Sequence, residues 1–181
     1  VIGEPQLFNN CGPATLSMNL SYYDWGQTQS QTAKVLKPNQ DDKNVMPAEM
    51  VTFVQQSTGL KALTRVGGDI DLLKRLVAAG FPVVIEAGHH PPEDWWMGHY
   101  LVVSGYDEAQ SLFWVQDSLA SPDLPTPYAE LTERWWRDFN YVYLVIYPPE
   151  REAEVMSILG PAANEAFSYQ NAAQRALEEI P

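Results

Sequence analysis

Two strand-like runs separated by three residues place the strongest constraint on the fold of this chain. They are HYLVVSGYD (99–107) and SLFWVQDS (111–118), both rich in β-branched and aromatic residues, with only EAQ between them. Runs of this composition joined by so short a loop are typical of a β-hairpin. The sequence therefore predicts an antiparallel pair of strands in the second half of the chain.

Helical patterns precede this hairpin, and further strand patterns surround it. Good helix formers after Pro13 predict a buried helix that begins near Cys11, although the alternation from Ala14 to Tyr22 also fits a strand. Further helices are expected at about 29–37, 47–57, 69–80 and 128–139, and further strands at 60–66, 81–88 and 141–147. Helices first and a mostly antiparallel sheet after them indicate the α+β class.

The chain divides by composition near Pro148. At 181 residues it is long enough to bury a core, and we expect one domain over 1–148 with a helical extension or linker over 149–181. No apolar run approaches the length of a membrane span. The tail carries a stripe of small and apolar residues at heptad-like spacing: Ala162, Ala166, Tyr169, Ala173, Leu177 and Ile180. Such a stripe predicts a contact with another helix through residues 149–181.

The charge of the chain argues against nucleic acid as a partner. Eleven basic and 23 acidic residues give a formal net charge of −12. A field of this sign repels phosphate backbones and anionic membranes and favours neutral or basic ligands.

Cys11 is the only cysteine, so the fold contains no internal disulfide. The start of a helix presents unpaired N–H groups and positive partial charge, which favour a thiolate and hence a nucleophile. Gly12 lets the backbone pass close to a bound ligand, which makes it a candidate for substrate binding. A buried structural cysteine is the alternative, and Cys11 alone does not decide between the two.

A thiol nucleophile needs a base, and the chain offers His89, His90 and His99. If the hairpin turns about residue 108, His99 lies directly opposite Asp117, with Cβ atoms about 4.5–5.5 Å apart. A carboxylate at that distance orients an imidazole. Each residue alone has an ordinary structural explanation, and the predicted pairing is what indicates a site.

Other side chains complete the prediction. Gln6, five residues before the thiol, is a candidate donor to the oxyanion that forms during acyl transfer. Trp95 and Trp96 precede His99 and either wall a substrate groove or fold over the core. The three histidines and Asp94 lack the spacing of a metal site, so no metal and no organic cofactor is predicted.

The motifs Q-x4-C-G-P-A, GHYLVVSGYD and WVQDS, in this order, resemble the papain-like cysteine peptidases of the bacteriocin-processing (double-glycine leader) type, and above all their stand-alone relatives. The resemblance covers about residues 1–148. It implies a helical subdomain that carries the cysteine, packed on an antiparallel sheet that carries the histidine and aspartate. It also implies Cys11 as nucleophile, His99 as general base and acid, Asp117 as its orienting residue, and Gln6 as oxyanion donor.

The resemblance further implies a peptide or protein substrate and a bacterial protein. The sequence does not fix a compartment, and an extracytoplasmic location is slightly favoured. The chain differs from the leader-processing enzymes at Asn10, where they carry aspartate. We therefore expect a cysteine peptidase. The alternatives are a catalytically silent peptide-binding or tethering module of the same fold, an acyltransferase using the same residues, and a purely structural domain.

Overall fold

The computed structural model of the protein describes residues 1–39, 44–89 and 95–179, with only the backbone of His89, Arg134 and Trp135. The helices are α1 Cys11–Ser21, α2 Gln29–Leu36, α3 Pro47–Ser57, α4 Ile70–Ala78, the single turn α5 Tyr128–Glu130, α6 Glu152–Leu159 and α7 Glu165–Glu178. The strands are β1 Lys61–Arg65, β2 Val83–His89, β3 Met97–Asp107, β4 Leu112–Gln116, β5 Leu124–Pro127 and β6 Tyr143–Tyr147.

The strands form one six-stranded sheet in the order β1-β6-β2-β3-β4-β5, and all the neighbouring pairs are antiparallel. Successive side chains of a strand point to opposite faces, so the sheet supports two cores. Val84 and Val102 contribute to the core shared with α1, α2 and α3. Val83 and Val103 contribute to the core shared with α4 and α6. The predicted α+β architecture is confirmed.

Helix α1 lies in the interior against β3. Its residues from Gly12 to Leu20 are all buried, which explains why the sequence shows no single apolar face. Two polar side chains of α1 donate hydrogen bonds to the sheet region: Thr15 Oγ1 donates to the carbonyl of Tyr100 at 2.9 Å, and Asn19 Nδ2 donates to the carbonyl of Pro82 at 2.9 Å. The helical interpretation of this stretch is confirmed and the strand alternative is wrong.

The hairpin forms, but its predicted register is wrong. Next to the turn Asp107 pairs with Leu112, which already differs from the predicted register. A β-bulge at Ser104 adds a further shift of one residue, so that Val102 pairs with Gln116. If this register continued, His99 would lie opposite residue 119. Strand β4 ends at Gln116, however, so it does not extend far enough to pair with His99. Asp117 therefore lies in the loop after the strand, diagonal to His99 rather than directly opposite it.

Two further elements differ from prediction. The Pro-rich loop contains β5, whose prolines are tolerated because this strand pairs only with β4 and lies at the sheet edge. The helix predicted over 128–139 is broken into α5, a π-helix Leu131–Trp135 and a 3-10 turn Arg137–Phe139. Within this segment Trp136 is fully buried, and its indole N–H donates to the carbonyl of Val142 at 2.6 Å.

The tail is helical and docks through a face that the stripe did not predict. Ser168 Oγ donates to the carbonyl of Val66 at 2.5 Å and accepts the Val66 N–H at 3.0 Å. Arg175 donates to the carbonyl of Gly68 at 2.9 Å. The predicted stripe instead faces solvent at Tyr169 and Leu177, and Ile180 lies outside the described residues. No helix in the described part of the chain is long and apolar enough to cross a membrane.

Candidate active site

The side chains of His99 and Asp117 form a buried pair. His99 Nε2 lies 2.8 Å from Asp117 Oδ1, and both side chains are almost fully shielded from solvent. The same carboxylate oxygen accepts the backbone N–H groups of Leu119 at 2.8 Å and Ala120 at 3.2 Å. These bonds fix Asp117 at the end of β4, so the contact forms despite the shifted register.

The imidazole of His99 also meets the thiol. Cys11 is partly exposed and is hydrogen-bonded to His99. Because Asp117 occupies Nε2, the nitrogen left for the thiol is Nδ1. Burial alone lowers the pKa of His99, but the bonds to Asp117 and Cys11 outweigh it and raise the pKa to about 9. At neutral pH the imidazole therefore holds its proton between a carboxylate and the sulfur atom.

The pKa of Asp117 moves in the complementary direction. Burial raises the pKa of this carboxyl group, but the His99 imidazole and the two backbone N–H groups more than compensate and hold it below its usual value. Asp117 is therefore a carboxylate throughout the neutral range, and its charge supports the protonated imidazole.

The start of α1 is left open next to the thiol. Asn10 stands at the cap position but makes no capping bond, and the first turn contains no acidic residue. The Asn10 side chain instead donates to Gln29 Oε1 at 3.1 Å. The first backbone N–H groups of a helix have no partner within it, so positive partial charge faces the sulfur of Cys11.

Gln6 is held beside the His99–Asp117 pair by Ser118. Its backbone N–H donates to the carbonyl of Ser118 at 2.9 Å, and its Oε1 accepts the Ser118 hydroxyl at 2.9 Å. With Oε1 engaged, the amide nitrogen of Gln6 is the end available to a ligand. The four predicted residues Gln6, Cys11, His99 and Asp117 thus belong to one site.

Gln29 is a supporting residue that sequence reasoning missed. Its Oε1 accepts the N–H of Leu7 at 2.7 Å in addition to the Asn10 side chain, and its Nε2 donates to the carbonyl of Pro5 at 2.7 Å. Gln29 is buried at the start of α2 and so ties the irregular segment between Gln6 and Cys11 to the helices. A lone glutamine at a helix start carries no sequence signal of this role.

The predicted substrate-binding residues have different surroundings. Gly12 is buried, and a Cβ there would lie 3.0 Å from Val45 Cβ, so close packing by itself accounts for the glycine. Trp95 is 86 % exposed. Trp96 donates to Asp138 Oδ2 at 2.8 Å and stacks on Phe139 with ring centroids 5.7 Å apart.

Large apolar side chains reach solvent around the site. Each of five lies within four residues of Cys11, His99 or Asp117: Leu7, Phe8, Trp95, Trp96 and Leu119. Exposed large apolar residues near a candidate site are consistent with a binding surface.

The histidine-rich loop gives no metal site within the described residues. His90 and Asp94 lie outside those residues, as does the side chain of His89. Across 1–39, 44–89 and 95–179, no three His, Cys, Asp or Glu side chains come together as metal ligands.

Comparison with known proteins agrees with this geometry. The model of the "Peptidase_C39 like family" matches residues 1–144. A search of curated proteins gives no match.

Three solved structures share the fold. A structure described as a C39-like peptidase of Bacillus anthracis has a TM-score of 0.64 at 20% identity, covering 78% of this chain and 90% of its own. The peptidase domain of Streptococcus ComA, a bifunctional ABC transporter involved in quorum sensing, has a TM-score of 0.64 at 16% identity, with coverages of 81% and 97%. A double-glycine-motif protease from an AMS/PCAT transporter, in complex with the leader peptide, has a TM-score of 0.59 at 19% identity, with coverages of 82% and 90%.

Proposed function

Because the chain belongs to the Peptidase_C39 like family, a family of cysteine peptidases, we propose that it hydrolyses peptide bonds through a thioester on Cys11. One observation carries this proposal: the hydrogen-bonded series from the Cys11 thiol through His99 to Asp117. A nucleophile, a base and a group that orients the base are the parts that covalent acyl transfer requires.

The reaction proceeds in two steps. The sulfur of Cys11 attacks the amide carbonyl while its proton resides on His99, and the imidazolium then protonates the departing amine as the C–N bond breaks. The acyl group remains on the sulfur as a thioester. A water molecule gives a proton to His99 and attacks the thioester, and the carboxylic acid leaves as the thiol regains its proton.

Two hydrogen-bond donors stabilise the negative charge that develops on the carbonyl oxygen during the attack. One is the amide nitrogen of Gln6, whose oxygen is engaged by Ser118. The other is the backbone N–H of Cys11, which as the first residue of α1 has no partner inside the helix. Donors placed in advance at this position stabilise the tetrahedral intermediate more than the substrate.

The exposed apolar side chains around the site support a peptide substrate. A peptide supplies both the amide bond and apolar side chains to cover Phe8 and Trp95. One structural neighbour is in complex with a leader peptide. For this chain we propose a peptide in the same role, without assigning its sequence.

The alternatives receive less support. A silent binding module has no use for a buried His99–Asp117 pair aligned on a partly exposed thiol. An acyltransferase would use the same thioester and an amine in place of water, so product analysis separates it from the hydrolase.

A fluorogenic peptide library tests the proposal. We expect the wild-type chain to release the reporter group and Cys11→Ala to release none. Since Cys11 is the only cysteine, mass spectrometry after iodoacetamide treatment reports on this thiol alone. We expect alkylation of Cys11 at pH 7 to be about tenfold slower in His99→Ala than in the wild type.

Tyr106→Ala serves as the matched control, since it removes a ring from the same strand at its exposed far end. Its cleavage and alkylation rates should equal those of the wild type. An alkylation rate that His99→Ala leaves unchanged, together with no cleavage by the wild type, would contradict the proposal.

A further inference from the structure

A cavity of about 350 Å³ lies between the start of α3, the end of β1, the middle of β2, the 3-10 turn Arg137–Phe139 and the tail helix α7. Glu165, Ser168 and Tyr169 of α7 form one of its walls. These residues lie beyond positions 1–144 that match the family model. The match to the family model therefore does not include this wall of the cavity.

The cavity adjoins both halves of the catalytic site. The wall residue Phe139 packs against Gly98, since a Cβ atom at Gly98 would lie 2.8 Å from the Phe139 ring. Gly98 directly precedes His99 in the sequence. On the other side Val45 packs against Gly12, the neighbour of Cys11. From Val45 the chain runs straight into Met46 and Pro47, which line the cavity. A peptide bound at the thiol is therefore within reach of it.

The lining combines apolar surface with negative charge. Three of the described lining residues carry carboxyl groups, namely Glu86, Asp138 and Glu165, and one carries a cation, Arg65. The two terminal nitrogens of Arg65 donate to the backbone carbonyls of Thr64 at 2.7 Å and Ala163 at 2.8 Å, while its Nε has no partner among the described residues, so one cation faces three carboxyl groups. Acidic groups therefore dominate the charge available to a ligand.

Glu86 is the most enclosed of the three carboxyl groups. It takes part in none of the ion pairs formed among the described residues, and burial raises its pKa to about 7 against a weaker opposing bond to Tyr100. Tyr100 also donates its hydroxyl to the carbonyl of Val45 at 2.6 Å, so its single proton does not serve Glu86 alone. A desolvated carboxyl group of this kind is stabilised when a cation binds beside it.

We propose that this cavity is a substrate subsite that accepts a lysine or arginine side chain of the peptide. The methylene stem of such a side chain lies along Phe139 and Val142, and its charged end meets Glu86. The inference rests on the proposed peptidase function, because it assigns one specificity determinant to that same site. It also assigns the tail helix a part in substrate selection.

Binding to the inactive full-length variant Cys11→Ala tests the subsite without requiring cleavage. The probes are fluorescein-labelled peptide pools in which one of four positions is lysine, arginine, norleucine or glutamate. At one position we expect lysine or arginine to bind about 10- to 100-fold more tightly than norleucine, and glutamate more weakly than norleucine. Adding Glu86→Gln should reduce that preference to about twofold, whereas the exposed control Glu150→Gln should leave it unchanged.

A second variant, Asp138→Asn at the exposed rim, keeps the test decisive if Glu86→Gln fails to fold, and it too should weaken the preference. No preference above about threefold at any position, or a preference for glutamate, overturns the subsite. Cleavage by the wild type is measured separately on the same pools. Cleavage without basic preference refutes the subsite alone, and Glu86-dependent binding without cleavage refutes the peptidase function alone.

Discussion

Replacing Asp117 with asparagine should shift the pH range in which the enzyme works. The asparagine side chain still offers an oxygen to His99 Nε2 and to the N–H groups of Leu119 and Ala120, so the loop is preserved and only the charge is lost. The pKa of His99 is about 9 against an ordinary 6.5. This difference corresponds to about 3 kcal/mol in favour of the imidazolium.

Without the carboxylate, the largest contribution that raises the pKa of His99 is lost and only the smaller one from Cys11 opposes burial, so we expect this pKa to fall to about the ordinary 6.5. The protonated fraction at pH 8 then drops from about 90% to about 3%, a loss of about 30-fold, whereas at pH 6 the loss is less than about twofold. Because the imidazolium must protonate the leaving amine, kcat/KM should follow this fraction.

The assay is kcat/KM for a fluorogenic peptide between pH 5 and 10, with iodoacetamide alkylation of Cys11 as a substrate-free second measurement. The wild type should lose activity as pH rises through about 9, and Asp117→Asn as pH rises through about 6.5. Asp107→Asn, an equal charge change at the far end of β3, should match the wild type. An alkaline limb near pH 9 in Asp117→Asn would refute the assigned role of the carboxylate.

Three further predictions concern single groups. Gln6→Ala should lower kcat about 10²- to 10³-fold and leave alkylation of the thiol unchanged, because it removes an oxyanion donor only. Gly12→Ala should lower the free energy of unfolding in urea by about 1–3 kcal/mol through overpacking, while Gly26→Ala, which meets nothing within 4 Å, should have little effect. Ser168→Ala should lower the free energy of unfolding by about 1–3 kcal/mol and speed amide hydrogen exchange in the tail, because it removes both bonds to Val66. Ser157→Ala, at an exposed serine, should have neither effect.

Each of these has an outcome that counts against it. Slower alkylation in Gln6→Ala would mean that Gln6 supports the thiol itself. Equal urea midpoints for Gly12→Ala and Gly26→Ala would remove the packing explanation. Unchanged exchange in Ser168→Ala would show that the tail is held elsewhere.

The strands of the sheet and helix α1 were predictable from the sequence because their signals are local. The runs at 99–107 and 111–118 show the side-chain period of strands, and the helix start at Cys11 is marked by Pro13 and good helix formers. The register was not predictable in the same way. Nothing in the sequence around Ser104 marks a bulge. A register taken from the assumed centre of the turn therefore paired Asp117 with His99, which the structure does not.

The docking of the tail escaped prediction for a different reason. Ser168 and Arg175 bind carbonyl groups of the backbone, and such bonds leave no apolar periodicity to detect. The large side chains of the stripe that does show periodicity, Tyr169 and Leu177, are mostly exposed, although Tyr169 also lines the cavity beside α7. A pattern of apolar residues thus identified an exposed face, and the predicted helix contact through residues 149–181 stays a prediction. Gln29 escaped likewise, since its bonds join segments far apart in the chain.

The catalytic groups are widely separated along the chain, with Gln6 and its anchor Ser118 112 residues apart. During synthesis the helix with the thiol leaves the ribosome early, and the hairpin with the imidazole and the carboxylate follows much later. Until β3 and β4 pair, the nascent chain carries an ordinary cysteine, because contacts this distant in sequence form late in folding. Completion of the fold is therefore the event that brings the thiol, the imidazole and the carboxylate together, and under the proposed function no copy is active before it.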